Sequence, residues 1–448
     1  MNKAEFDKMD IVDWYVSNFK IFENNLNGNR DLPFHKIRQS AIAKFSELGF
    51  PNSKNEEWKY TSIKPLLKHD FRFEKTESRI SRDQLSGFVF DGLEDNLIVL
   101  INGDFSPGLS TFQTDQKGVI VENLADAFAN HSELINRHIA KYADYQNETF
   151  TALNTAFASD GVFIYVPAGV VVEKPVHLLN FTDSDHENYV SHPRNLLIVE
   201  NDSQVHFVET HNHVGERTYF TNMVTEVVVG ERAVVDNTVI QDESTNAYHI
   251  VNKEVHQRKN STFTSVHVDL GGAIVRNNLN IRLKGEYCES HLFGFYLGRG
   301  TQHIDIHTVI DHIVPNCNSN ELFKGILDDK ARGVFNGKVY VRKDAQKTNA
   351  FQENKTLILT DDASMNAKPQ LEIFADDVKC SHGATVGQLD EDAVFYLRSR
   401  GIDREKANAI LQYAFAIDIF NQIKIESVKN WLDAILHERL KKNSAAGV

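Results

Sequence analysis

Between roughly residues 150 and 382 the chain is a monotonous succession of short β-favouring runs: LLIVE, VHFVET, MVTEVVVG, AVVDNTVI, FTSVHVDL, NLNIRL, HLFGFYL and IDIHTVI. Each is bounded by Asn, Asp, Gly, Lys or Glu, and helix punctuation is missing. Turns followed by a small residue recur at Ser203, Ala233, Ser261 and Cys288, spaced by 30, 28 and 27 residues, and again at Ala331 and Ala363, 32 apart. An imperfect repeat of that length, made only of short strands, suits a parallel β-helix in which each coil supplies two or three strands and stacks on the last. A stacked β-sandwich or a tandem cupin would also give short strands with turn signals, and periodicity leaves those open.

The flanks read differently. Ile37, Ala41, Phe45 and Leu48 recur at helical intervals, with Pro33 at the start and Gly49 just past the end, which predicts one amphipathic helix. The polar segment PNSKNEEWKYTSIKPLL follows, a surface stretch pinned by Trp58 and Tyr60. NLIVLINGDFSPG from Asn96 reads as strand and turn, and the stretch from Val119 reads as helix. His131 and His138 lie about two turns apart there without carboxylates at matching offsets, and are expected at the surface. After Gly387 the texture is helical again: Asp390 and Asp403 are caps, and Ala407, Ile410, Leu411, Ala414 and Phe415 form an apolar stripe. The expected architecture is mainly β: an N-terminal helical and mixed domain over 1–150, a β-helix core over 151–382 and a helical domain over 383–448. That last domain either caps the raw end of the solenoid or serves as a docking platform.

Composition narrows function. Lys plus Arg number 48 against 62 Asp plus Glu, a net charge of 48 − 62 = −14, which argues against a nucleic-acid or anionic-membrane binder. Three cysteines, Cys288, Cys317 and Cys380, suit a reducing compartment, and the cytoplasm is the expected address. The opening MNKAEFDKMDIVDWYVSNFK has no apolar core of signal-peptide length, and no run approaches the roughly eighteen apolar residues of a membrane span. GVFNGKV from Gly333 is one residue short of a phosphate loop and lacks the hydroxyl after Lys338, so no nucleotide is expected on this chain. Nucleophile elbow, zinc-protease and dinucleotide motifs are absent as well, which favours a non-catalytic scaffold.

The metal candidates are Cys380 and His382 in KCSHGATVG, because alternate residues of a strand share a face and a thiol beside an imidazole can hold iron or zinc. One chain with three cysteines cannot assemble a four-thiolate site, so a cluster held here must be shared with another subunit. The histidines between His206 and His312 alternate with apolar residues and are expected on solvent-facing rungs. His303, Asp305 and His307 share strand parity, a weaker second set of which two could reach one ion, since such positions span about 13 Å. Cys288 and Cys317 are expected to be packing residues.

GKVYV from Gly337, AQKTNAFQENKTLIL from Ala345, PQLEIFADDVKCSHGATVG from Pro369 and FYLRSRGI from Phe395 closely resemble the SufB/SufD family of iron–sulfur cluster assembly proteins. KCSHGATVGQLD and the earlier NEEWKYTSIKPL resemble the SufD branch of that family. The resemblance implies a right-handed parallel β-helix and a scaffold role in de novo cluster assembly. It also implies a heterodimer with SufB through the end of the β-helix, and docking of the ATPase SufC on the C-terminal helices. His382 then matches the histidine assigned to the SufB–SufD junction, where iron or a transient cluster is held, with Cys380 beside it. In isolation the same surface would allow a homodimer. Two other classes stand against this: a carbohydrate-active β-helix enzyme of the lyase or esterase kind, and a structural interaction module without metal.

Overall fold

A computed structural model describes residues 10–26, 32–73, 78, 80–112, 118–184 and 188–442. The first nine residues of the stretch weighed as a leader lie outside the described residues.

The core is a parallel β-helix of two facing sheets. The first has ten strands in the order β2 (Asp104–Phe105), β1 (Leu97–Ile101), β5 (Val176–Asp183), β8 (Gln204–Val214), β10 (Val234–Gln241), β12 (Thr262–Asp269), β14 (Glu289–Gly298), β16 (Asn318–Leu327), β18 (Thr348–Ile358) and β21 (Val378–Gly387). The second runs β19 (Ser364–Ala367), β17 (Arg332–Val341), β15 (His303–His312), β13 (Ile274–Leu283), β11 (Ala247–Gln257), β9 (Tyr219–Val229), β7 (Arg194–Val199), β4 (Val162–Val166) and β3 (Ile120–Asn123). Here β20 (Gln370–Ile373) also pairs with β17, and β6 (Tyr189–Ser191) with β9. From β7 to β19 successive strands alternate between the sheets, so each pairs with the strand one coil away, in parallel and in register, whereas at the N-terminal end β1–β2 and β3–β4 are antiparallel.

The repeat seen in the sequence is a ladder. Ser203, Ala233, Ser261 and Cys288 each immediately precede residues that are register partners, Gln204, Val234, Thr262 and Glu289, and Cys317 and Thr348 continue the series. Ala331 and Ala363 belong to a separate ladder on the second sheet, before the partners Arg332 and Ser364. Ahead of every rung of the first ladder one residue turns the corner in the left-handed region: Asp202, Arg232, Asn260, Tyr287, Asn316 and Lys347, with φ of 60°, 56°, 56°, 61°, 62° and 59°. The small rung residue behind it packs inside the coil, and that pairing makes the 30-residue rhythm. Between the sheets, Phe207, Phe263, Leu292, Ile281, Ile306 and Phe335 contribute to the apolar core. Glycine opens space where an aromatic ring fills the next coil: a Cβ at Gly294 would lie 2.1 Å from Phe323, and one at Gly325 would lie 2.0 Å from Tyr296.

Two helical layers clad the outside. α1 (Ile11–Asn24) and α2 (Pro33–Leu48) pack beside α5 (Thr149–Phe157), preceded in the chain by α3 (Leu124–Asn130) and α4 (Ser132–His138). Pro33 opens α2 and Gly49 closes it at φ 63°. The stretch from Val119 is thus a strand and two short helices, broken at His131. His138 is buried and its Nδ1 lies 2.5 Å from the Tyr142 hydroxyl, a correction to the surface placement. Arg194 and Glu226, both fully buried, pair at 2.7 Å, and Glu226 also accepts the Ala140, Tyr142 and Ala143 amides, fastening this layer to the β-helix.

After β21 come α6 (Glu391–Ser399), α7 (Arg404–Phe420) and α8 (Glu426–Lys442). They do not cap the solenoid. Ile419, Phe420, Val428 and Leu432 lie on Val268, Phe295 and Ile326, the outward residues of the first sheet. Lys324 on β16 reaches Asp418 at 2.5 Å, and Arg439 on α8 reaches Asp242 at 2.5 Å. Those outward strand positions are themselves apolar and demand cover, so the helices run along the flank and the last coil stays open. No helix among the described residues is long and apolar enough to cross a membrane.

Candidate functional site

The last coil is formed by β19, β20 and β21, and β21 pairs with β18 alone. Its register sets Cys380 against Ala350 and His382 against Gln352, two residues buried inside the previous coil. Both candidate ligands therefore share one face of their strand, as the alternation predicted, and that face has the inward parity. No further coil covers them. The His382 side chain is exposed and makes no hydrogen bond to the described residues, whereas Cys380 is half-buried against Val339, Val341, Ala345 and Ala350. Burial holds the Cys380 thiol above its ordinary value. The free edges of β20 and β21 are fringed by exposed apolar side chains, Ile373 (39%), Phe374 (59%) and Val386 (48%), followed on α6 by Phe395 (72%).

Beneath His382 the ladder stays polar. Gln352 donates from Nε2 to Glu321 at 2.6 Å, and Thr308 donates to the other Glu321 oxygen at 2.5 Å. Sealed there, the Glu321 carboxyl is pushed up to about 7 by loss of solvation.

The other candidates are held by the protein itself. Asp305 is fully buried, accepting from Arg276 at 2.7 Å and from the Thr61 hydroxyl at 2.5 Å, with His307 at 2.9 Å. His303 meets the same Thr61 hydroxyl at 2.8 Å. The NEEWKY segment lays itself over these strands, with Trp58 stacked on the Arg276 guanidinium at 3.8 Å and Glu57 held down to about 2, chiefly by His307. His303, Asp305 and His307 thus form a docking network for that segment. Cys288 and Cys317 are buried on consecutive rungs, both donating to the Gly285 carbonyl, as packing thiols do.

Most of the histidines placed on solvent-facing rungs are covered, which corrects that expectation. His211, His249, His267 and His312 share parity with the core residues of their strands and are buried between the sheets. His256 and His307 point outward and lie under flanking segments, His256 against Tyr142 at 4.5 Å between ring centres. Alternation with apolar neighbours says which side a residue takes, but in a β-helix both sides can be covered.

Residues 181–415 match the SufBD core domain of the SUF system for FeS cluster assembly, and residues 9–178 match the SufBD protein N-terminal region. The chain belongs to the SufBD family. An iron–sulfur cluster assembly SufBD family protein of Synechocystis is 34% identical over 417 residues, 91% of each chain. The iron–sulfur cluster assembly protein SufD of Escherichia coli is 30% identical over 410 residues, 90% of this chain and 92% of that one. The iron–sulfur cluster assembly protein SufB of Bacillus subtilis aligns over a shorter 316 residues, 70% of this chain, at 28% identity. This SufBD chain is therefore similar to SufD proteins along almost all of its length.

Proposed function

We propose that this SufBD-family chain is a scaffold subunit whose open coil pairs with the matching end of SufB, with His382 and Cys380 supplying part of the cradle for iron or a nascent cluster. The observation that carries this reading is the exposure of His382 on the inward parity of a coil that has no successor. Unpaired strand edges with exposed Ile373, Phe374 and Val386 are costly in an isolated molecule and are natural contacts for a second β-helix end. In isolation the same edge accepts another copy of the chain.

The chemistry favours a transient cargo. One imidazole and one thiol leave a cluster incompletely ligated, so the remaining ligands come from the partner and the site is lost when the seam opens. ATP hydrolysis then belongs to SufC, docked on α6–α8, where exposed Phe395 and Tyr396 offer an apolar surface. Docked there, SufC acts along the flank of the solenoid next to the seam.

Co-expression with SufB and SufC tests this. His382→Ala is expected to leave assembly of the complex intact while lowering the iron and acid-labile sulfide recovered per complex. Phe374→Asp together with Val386→Asp is expected to release SufB in gel filtration. Normal iron and sulfide with His382→Ala would remove that residue from the cradle.

A further inference from the structure

Six strand steps from the open coil, about 29 Å at the usual spacing of ~4.8 Å, the interior holds a second group of metal-ligand side chains. His211 stands near the end of β8, Glu243 lies in the corner loop that leaves β10, and His249 opens β11 on the facing sheet. One ligand atom from each lies within 4.8 Å of the others, and the residues are 2%, 4% and 2% exposed. Oε2 of Glu243 pairs with Nδ1 of His249 at 2.6 Å, off the line of a well-formed hydrogen bond. His267, buried in the same chamber, has an unpartnered Nε2.

The surroundings have the order expected around a bound ion. Glu209 takes the Nε2 of His211 at 3.1 Å and is anchored by Lys253 at 2.6 Å, the carboxylate–histidine relay that orients a ligating imidazole. Gln241 donates to Glu243 at 3.0 Å, and its own carbonyl accepts the Gly271 amide at 3.1 Å. Gly271 allows this tight corner, since a Cβ there would lie 2.1 Å from the Glu243 carbonyl oxygen. Glu209, Glu243 and Asp269 all surround the His249 imidazole, and Lys253 is paired with Glu209.

We propose that His211, Glu243 and His249 bind one divalent transition-metal ion of the Zn²⁺ or Fe²⁺ class inside the β-helix, pinning the two sheets together independently of the open end. Two imidazoles and one carboxylate suit borderline ions better than Ca²⁺ or Mg²⁺. The ion enters as the chain folds, because the chamber is closed in the native state.

The test uses the full chain carrying Cys380→Ala and His382→Ala, so that the open end takes no part. The protein is unfolded with chelator, refolded with or without Co²⁺ or Zn²⁺, desalted, and assayed for metal content, visible Co²⁺ absorption and melting temperature. One equivalent of metal, a ligand-field spectrum and a raised melting temperature are expected. Adding Glu243→Gln and His249→Gln, close in shape and uncharged, is expected to reduce bound metal roughly tenfold or more. A refolded parent without metal, or equal loading of the quadruple variant, overturns the proposal. Should that variant not fold, anomalous scattering from crystals of the Co²⁺-loaded parent decides: a peak between His211 and His249 supports the site, and a peak elsewhere or none overturns it.

Discussion

Glu321, Gln352 and His382 occupy the same register position on three consecutive coils, yet the first two are sealed and the third is open. Inside, Glu321 and Gln352 satisfy one another, and burial forces the carboxyl toward its neutral form. At the end, the imidazole has no coil above it, and its nitrogens make no hydrogen bond among the described residues. The difference teaches that in a stacked fold the place in the stack, more than the residue type, decides whether a polar side chain is structural or available.

The sharpest way to break that comparison is to delete one member of each kind. Arg194→Leu strips Glu226 of its buried counter-ion and is expected to destabilise the fold by about 3–5 kcal/mol, read from urea unfolding. His382→Ala removes an exposed side chain without hydrogen bonds and is expected to stay within about 0.5 kcal/mol. Comparable losses in the two variants would show that His382 is part of the folded framework.

A pH series sharpens the same contrast. Glu321, raised to about 7, and Glu254, raised to about 8 chiefly by burial, both hold a proton in the folded state that the unfolded chain has released above its ordinary value near 4.5. These two carboxyls therefore bind more protons in the native state between about pH 4.5 and 8, and their contribution to stability falls as pH rises through that window, while the buried His177, His192, His256, His267 and His312, held below their ordinary value by burial, act in the opposite sense below about pH 6.5. Glu321→Gln has no proton to lose and is expected to flatten part of this decline. A Glu321→Gln variant whose stability keeps a constant offset from the parent at every pH from 5 to 8 would contradict the sealed state of this carboxyl.

Much of this was legible beforehand, for physical reasons. Strand alternation put Cys380 and His382 on one face, and the rhythm of Ser203, Ala233, Ser261 and Cys288 announced the coil, because a left-handed corner forces a small residue after it. What alternation cannot convey is cover from distant segments. Thr61 and Trp58 reach strands more than 200 positions away in the chain and turn His303, Asp305 and His307 into a docking site. The C-terminal helices were expected either to cap the end or to form a platform, and the deciding signal was on the strands: outward Val268, Phe295 and Ile326 are apolar and call for a cover along the flank. The interior histidines escape the sequence reading because alternation with apolar residues assigns them to solvent-facing rungs. A glutamate and several histidines on core parity, in VHFVETHNH and SVHVD, were the available clue.

The smallest effects expected come from the corners, and they probe whether the open coil behaves as a unit of its own. Tyr287 and Lys347 sit at φ 61° and 59°, a region that costs a residue with a Cβ about 1–2 kcal/mol and that Asn tolerates better. Both side chains are exposed, so replacement loses little packing. Tyr287→Asn, in the middle of the stack, is expected to raise global stability by about 0.5–1 kcal/mol. The Lys347 amide donates to the Asp377 carbonyl at 2.5 Å, tying the corner to the chain just before β21. If the end coil opens separately from the sealed ones, Lys347→Asn slows hydrogen exchange in β21 and leaves the unfolding midpoint where it was. Should Lys347→Asn instead shift the midpoint as far as Tyr287→Asn does, the open coil unfolds only with the whole solenoid. The exposure of His382 would then be a fixed feature of the native state, with no contribution from fraying.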